Sequence, residues 1–431
     1  MKKVLIETYG CTLNRADSES MANILSNSGF RVEHGDSRKI NDFDYLIINT
    51  CTVKKPTEQK ILHRLKALSE KKKKIIISGC MVGANKDLLL SAMPGANLIN
   101  NSNIIRVREA VRDLEEGRRA EYISRELTER ASQAGMAGSV ISRIPISDGC
   151  LSNCSFCETK FARGSLNSFP QDLILKAIRI NVSKGSKEIE LASQDTGAYG
   201  LDKHTNIADL VSLASEIDGK FKIRIGMLNP EHLPRYFDDL LEAYKSEKVY
   251  KFIHLPLQSG NDNVLRAMGR NYTTEEFLSY VKEIRKRFKE MSIATDMIVG
   301  YPGESEEGFN DSVNILKEFK PAVTNVSKFS KRPHARASRL KQLPNTIIKE
   351  RSTTLSRIAR QIENKEKKKF IGRIEEVLVT EQNKKSAAGR DENYRAVAIE
   401  GNLNLGEFVR ARITGNSSAC MFGNIILKEF I

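Results

Sequence analysis

Short runs of β-branched and other apolar residues, each followed by a stretch with helically spaced apolar positions, dominate the N-terminal part of the chain. KVLIETYGC precedes DSESMANILSNSG, DYLIINTC precedes PTEQKILHRLKALSEKKKK, and KKIIISGC comes third. This alternation predicts parallel strands covered by helices, an α/β domain over residues 1–110. Each run ends on a cysteine: Cys11, Cys51 or Cys80. Ligands of such sheets collect at the carboxyl ends of the strands, so the three thiols are expected at one edge, as a three-cysteine site.

The mixed-charge stretch REAVRDLEEGRRAEYISRELTERASQAG reads as a linker helix and a flexible approach. Over residues 136–365 the apolar runs are VISRIPIS, EIELASQ, FKIRIGML, FIHLPLQ, IATDMIVG and TNVSKF, and all but the last precede a helix-like segment. Six strand–helix units predict a partial (β/α)6 barrel. Its polar motifs, CLSNCSFC, SQDTGAYG, LNPEH, QSGND and GYPGES, fall after the strands, where barrels of this kind carry their functional groups. The basic stretch from Lys331 to Arg373 gains helical periodicity in its second half and is expected to bridge to a last module, residues 369–431. There RIEEVLVTEQ, YRAVAIEG, GEFVRARITG and CMFGNIILKEF are short strands between Gly and Asn turns, the pattern of a small β-barrel resembling the oligonucleotide-binding type.

Composition narrows the class. Lys and Arg outnumber Asp and Glu by 69 to 54, a formal charge of +15 and a pI near 9.4, which favours a polyanionic partner. A 40% hydrophobic content with no run of 18 apolar residues is that of a soluble globular protein rather than a membrane span. Glu7 and the following Cys11 fit a first strand better than a secretory signal, so a cytoplasmic protein without a membrane partner is expected. Seven cysteines, an odd number without a compact disulfide-like pattern, favour reduced thiols used for metal or chemistry; Cys420, left over in SSACMFGNII, reads as a small apolar residue.

Cys150, Cys154 and Cys157, in DGCLSNCSFC, carry the sharpest signal. A cubane of four irons normally takes four thiolates, so a group of three leaves one iron open to a small molecule. Zinc also favours thiolates, but structural zinc sites usually pair two CxxC knuckles. Here Phe156 occupies the short arm, and neither a second knuckle nor a histidine is near.

CxxxCxxC after the first strand of a six-unit barrel resembles the radical S-adenosylmethionine superfamily. In that superfamily the open iron chelates the amino and carboxylate groups of S-adenosylmethionine, and one-electron reduction cleaves the cofactor to a 5′-deoxyadenosyl radical able to break unactivated C–H bonds. Over nearly the whole chain the resemblance sharpens to the methylthiotransferases, through YGC, NTC and SGC in the N-terminal domain, LPLQSGNDNVLRAMGRNYTTEEF and DMIVGYPGES in the barrel, and a C-terminal TRAM domain. It implies an enzyme that replaces a C–H hydrogen with a methylthio group, using S-adenosylmethionine and two 4Fe-4S clusters. The radical cluster would sit on Cys150, Cys154 and Cys157, and the auxiliary cluster on Cys11, Cys51 and Cys80. An electron donor and a sulfur donor must come from outside. By the same resemblance Phe156, Ser193, Gln194, Asp195 and Gly300 contact the cofactor, Ser193 to Asp195 near its methionine amino group and Gly300 near its adenine.

Two branches of the family act on adenosine 37 of tRNA, bearing an isopentenyl or a threonylcarbamoyl group, and a third acts on an aspartate of a ribosomal protein. CETKFARGSLNSFP resembles the C-x-T-K-x-A-R-G-x-L-x-S-x-P of the threonylcarbamoyladenosine branch, as do RIGMLNP and NTCTVKKPTE. Gln194 stands where that branch has an acidic residue, Phe161 where a histidine is usual, and RPHA at 332–335 replaces RPGTP. For tRNA, the TRAM-like barrel offers Arg373, Lys384, Lys385, Arg390, Arg395, Arg410 and Arg412, with Tyr394 to stack a base. A reading from another class, a non-catalytic iron–sulfur RNA-binding protein, leaves the open iron unexplained.

Overall fold

The computed structural model describes residues 1–426 apart from 36–41, 72, 126–127 and 136–137. The expected barrel start at 136 and the end of the last apolar run, 427–431, lie outside the described residues.

In the N-terminal region β1 (Lys3–Thr8), β2 (Arg31–His34), β3 (Tyr45–Thr50), β4 (Lys74–Gly79), β5 (Asn97–Ile99) and β6 (Glu121–Tyr122) form one parallel sheet, in the order β2-β1-β3-β4-β5-β6. Helices α1 (Thr12–Asn27) and α2 (Lys55–Ser69) cover opposite faces, Met21 and Leu25 packing with Val4, Ile6 and Ile47, and Ile61 and Leu65 with Leu5, Leu46 and Ile77. Burial on both faces is why these strands read as unbroken apolar runs. β1, β3 and β4 are neighbours, so the junctions that carry Cys11, Cys51 and Cys80 lie side by side. The other strands, short and more polar, escaped the sequence reading. After α3 (Cys80–Ala84) and α4 (Lys86–Ala92), the expected linker helix proves shorter: α5 spans Val107–Glu115 and breaks before Gly117, whose φ is +72°.

The second unit contains β7 (Ile141–Pro145), the antiparallel pair β8 (Ser147–Asp148) and β9 (Asn167–Ser168), then β10 (Glu188–Ala192), β11 (Lys222–Ile225), β12 (Phe252–His254), β13 (Ser292–Val299) and β14 (Val323–Lys328). Two parallel sheets, β7-β10-β11 and β12-β13-β14, are joined by a bridge between Met227 and His254, giving the expected partial barrel of six strands. α1 packs on β7, and α3 packs on α6 (Thr159–Arg163) in the loop after β7. Gly83 makes the second contact possible, because a Cβ there would lie 2.5 Å from the carbonyl oxygen of Ala162.

The helix Asn345–Lys368 leads to a closed five-stranded barrel, β15 (Ile374–Gln382), β16 (Ser386–Asp391), β17 (Ala396–Glu400), β18 (Phe408–Asn416) and β19 (Met421–Ile425), around Val377, Val397, Ile399, Ile413 and Met421. β16, SAAGRD, was not expected, having no β-branched residue; its Gly389 lies where a Cβ would meet the Leu378 carbonyl oxygen at 2.1 Å. Among the described residues no helix is long and apolar enough to cross a membrane.

Candidate functional site

Cys11 sits at the N-cap of α1, Cys51 follows β3, and Cys80 opens α3. Gly10 lets the first two approach: its φ is +110°, and a Cβ on it would lie 2.7 Å from Cys51 Cβ. Asn14, one helical turn after Cys11, ties the three junctions together. Its Nδ2 donates to the carbonyls of Tyr9 (2.8 Å) and Thr50 (2.7 Å), and its Oδ1 lies 4.0 Å from Cys11 Sγ and 3.5 Å from Cys80 Sγ.

The loop Cys150–Cys157 is pinned by its backbone and by Ser155, whose N–H donates to the Met268 carbonyl (2.8 Å) and whose hydroxyl donates to that of Ala267 (2.9 Å). Phe156 packs in an apolar cluster with Val264, Met268, Tyr301 and Phe329. Arg270 donates from Nη1 to Cys154 Sγ (3.3 Å) and from Nη2 to the Pro256 carbonyl (3.0 Å). The Thr159 N–H donates to Cys157 Sγ at 3.3 Å.

Cys11, Cys80, Cys150, Cys154 and Cys157 line one cavity of about 1550 Å³, with Cys51 buried directly behind Gly10. Thr52, beside Cys51, hydrogen-bonds Glu158, beside Cys157, and Arg332 joins the same wall through Glu58 (3.1 Å). Burial pushes the Cys80 and Cys150 thiols up to about 12, opposed at Cys80 by the neighbouring Arg163 guanidinium. A bound metal deprotonates such thiols outright. Three thiolates at each site are the donor set of a cubane that leaves one iron without a protein ligand.

In the same cavity, after β10, Ser193 Oγ and Gln194 Oε1 are buried without a hydrogen-bond partner, the condition expected of groups awaiting a polar ligand. The residues present therefore fit two cubane clusters and S-adenosylmethionine. Asp195 also lines the cavity, and its Oδ2 is likewise buried without a hydrogen-bond partner. Its Oδ1 accepts from the backbone N–H groups of Gly197 and Asn229, both at 3.0 Å, and its Oδ2 faces His232 Nε2 at 3.3 Å. Gly300 does not line the cavity. Its N–H donates to Glu304 (2.8 Å), and a Cβ on it would lie 2.6 Å from Ile348 of the long helix.

Family models match residues 3–100 (uncharacterized protein family UPF0004), 144–316 (Radical SAM superfamily) and 368–425 (TRAM domain). The chain is 39% identical over 431 residues, 99% of its length and 100% of the relative's, to a probable threonylcarbamoyladenosine tRNA methylthiotransferase of Pyrococcus abyssi. A protein of Drosophila melanogaster, described as a threonylcarbamoyladenosine tRNA methylthiotransferase, is 30% identical over 99% of this chain and 78% of its own. The chain belongs to the threonylcarbamoyladenosine tRNA methylthiotransferases. Among solved structures the radical S-adenosylmethionine methyltransferase TsrM of Kitasatospora setae, with cobalamin and a [4Fe-4S] cluster bound, shares the fold at a TM-score of 0.56, covering 78% of this chain and 77% of its own at 12% identity.

Several polar groups that this methylthiotransferase brings to the cavity were not singled out from sequence. His254 Nε2 and Asp296 Oδ2 pair at 2.8 Å across β12 and β13. Burial works to raise Asp296, but its bonds to His254 and Asn325 and the charge of Lys54 hold it below the ordinary carboxylate value. Phe161 and His334, at two of the positions where the chain departs from the family pattern, face each other: their rings stack at 3.7 Å and 7°, and His334 Nε2 lies 2.8 Å from the Ala84 carbonyl oxygen. Two of the three departures are therefore in direct contact. Asn14, Arg163 and Arg270 stood inside quoted or neighbouring motifs without being weighed.

The RNA-facing set divides. Lys384, Lys385, Arg410 and Arg412 are exposed on the small barrel. Tyr394 points inward, its ring against Tyr250 and Phe252 and its hydroxyl 3.1 Å from both Glu188 and Glu190, so it is not a free stacking platform. Arg395 is buried on Asp391 (2.6 Å) and Phe370, Arg373 is paired with Glu290 (2.5 Å), and Arg390 lies over the Tyr394 ring.

Proposed function

We propose that this chain methylthiolates C2 of N6-threonylcarbamoyladenosine at position 37 of tRNA, with Cys150, Cys154 and Cys157 holding the cluster that binds S-adenosylmethionine and Cys11, Cys51 and Cys80 holding the auxiliary cluster. One observation carries the reading: five thiols drawn from two separate triplets line a single cavity, with the sixth, Cys51, buried against Gly10, in a chain whose relatives over its full length bear this name. C2 of adenine has no acidic proton, so substitution there needs both a radical source and a sulfur source. When bound, the first cluster with its cofactor supplies the 5′-deoxyadenosyl radical and the second supplies the sulfur.

The protein's part is to bind, orient and exclude water. Ser193 Oγ and Gln194 Oε1 are free to accept hydrogen bonds from the methionine ammonium. Met227, Met297 and Ile298 give the cavity an apolar lining that keeps a radical from bulk water. Lys54, Lys55 and Lys328 on its rim present cations to a substrate that carries a carboxylate. The small barrel supplies Lys384, Lys385, Arg410 and Arg412 for the phosphate backbone. Electrons and sulfur arrive from a reductase and a sulfur donor, and the work is done in the cytoplasm, where tRNA is.

The test is anaerobic: reconstituted protein, dithionite, S-adenosylmethionine and tRNA bearing threonylcarbamoyladenosine, followed by mass spectrometry of the digested nucleosides. The 2-methylthio derivative is expected. Formation of 5′-deoxyadenosine with an unchanged nucleoside would sink the substrate assignment and keep the chemistry. Cys154→Ala should abolish 5′-deoxyadenosine formation, whereas Cys51→Ala should retain part of it and give no sulfur insertion; equal cleavage by the Cys154 variant and wild type would refute the ligand assignment.

A further inference from the structure

Arg163 is the last residue of α6, six positions after Cys157, and its side chain is fully buried. It crosses to the N-terminal unit. Nη2 donates to Asp17 Oδ2 (2.5 Å) and Asn14 Oδ1 (2.8 Å), Nη1 to Asp148 Oδ1 (3.1 Å), and Nε to Cys80 Sγ (3.3 Å). Arg130, also fully buried, closes the ring, with ion pairs to Asp148 (2.5 Å) and Asp17 (3.3 Å). Two guanidinium groups and two carboxylates balance without Cys80. The Nε–H is thus not required for charge neutrality, yet it points at sulfur.

A neutral thiol is a weak acceptor, and leaving a buried guanidinium N–H on one is unfavourable; a thiolate makes the same contact a charge-assisted hydrogen bond. Hydrogen bonds to ligand sulfur and nearby fixed charge also set the potential of an iron–sulfur centre, because the reduced state carries one more negative charge. We propose that Arg163 is a positioning residue of the auxiliary cluster: a guanidinium delivered from the loop of the other cluster, which bonds the Cys80 thiolate and holds that cluster's midpoint potential up. The inference rests on the two-cluster reading above. It makes the auxiliary centre a product of both units, since its ligands come from one and its neutralising donor from the other.

The experiment uses the full chain carrying Cys150→Ala, Cys154→Ala and Cys157→Ala, so that only the auxiliary cluster is built and Arg270 has no cluster beside it. With arginine labelled with 15N, pulsed electron paramagnetic resonance of the reduced cluster should show a 15N hyperfine coupling from the Nε–H bonded to Cys80. In the same background Arg163→Met should remove the coupling and shift the midpoint potential to more negative values, and Arg163→Lys, which keeps the charge and loses the planar fork, should shift it less. A cluster that forms with full iron, shows no 15N coupling and keeps its potential in both variants would overturn the inference and leave the proposed function standing. Should Arg163→Met fail to fold, the label in the unsubstituted residue and the lysine variant decide. Failure of any cluster to assemble on Cys11, Cys51 and Cys80 would overturn both readings together.

Discussion

Gly10 lets Cys11 and Cys51 approach each other. At φ +110° a side chain is strained in itself, and a methyl group there would sit 2.7 Å from Cys51 Cβ and 2.8 Å from its sulfur. Gly10→Ala should push Cys51 away from Cys11 while leaving the Cys150–Cys157 loop intact. Iron per chain is expected to fall from about eight to about four, with cofactor cleavage retained; full iron in the alanine variant would show that the junction relaxes. The YGC motif was visible in the sequence, but the reason for its glycine was not, because the clash is with a residue 41 positions away that only the parallel pairing of β1 and β3 brings close. Arg163 illustrates the same limit. Arginine in an A-R-G motif reads as a phosphate ligand or a solvated charge until the packing of α3 on α6 shows Cys80 at its Nε.

At the scale of elements, the turn between β16 and β17 inserts Tyr394 into the base of the six-stranded barrel, where Glu188 and Glu190 lie on the inward side of β10. Burial, then the charge of Glu190, pushes the Glu188 carboxyl up to about 7, against the bonds from Tyr250 and Tyr394. A carboxyl raised on folding binds its proton more tightly in the folded state, so its stabilisation is complete below the unfolded value near 4.5 and is lost as pH rises through about 7. Thermal midpoints measured at pH 5 and pH 8 should therefore converge in Glu188→Gln relative to wild type; an unchanged gap would mean that Glu188 does not titrate in this window. Tyr394 among arginines looked like a stacking platform because its flanking sequence gives only the local charge. The two carboxylates that claim its hydroxyl belong to a strand two hundred residues earlier, and nothing in a single sequence links them.

For the whole molecule, the succession of the three parts and the two cysteine triplets were legible, since alternating strand–helix periodicity and cysteine spacing are local properties. Their convergence on one cavity was not, because it depends on how α1 and α3 dock against the barrel. Packing of the small barrel against the central one revises the tRNA argument. If about six of the seven cations read from the sequence neutralised phosphates, the logarithmic salt slope would be roughly −4 to −5. With Tyr394 and Arg395 turned inward and the exposed Arg373 paired with Glu290, the exposed candidates without an ion pair reduce to Lys384, Lys385, Arg410 and Arg412. About four phosphates give a slope of roughly −3 to −4. Filter or fluorescence binding of unmodified tRNA between low and moderate salt measures it directly, and the combined Lys384→Ala, Lys385→Ala and Arg410→Ala variant should flatten the slope by roughly 2 to 3 while 5′-deoxyadenosine formation without tRNA stays at the wild-type rate. A slope that survives the triple substitution would move the grip from the small barrel to the cavity rim, where Lys54, Lys55 and Lys328 stand, and would make the rim rather than the TRAM domain the main anchor of the anticodon loop.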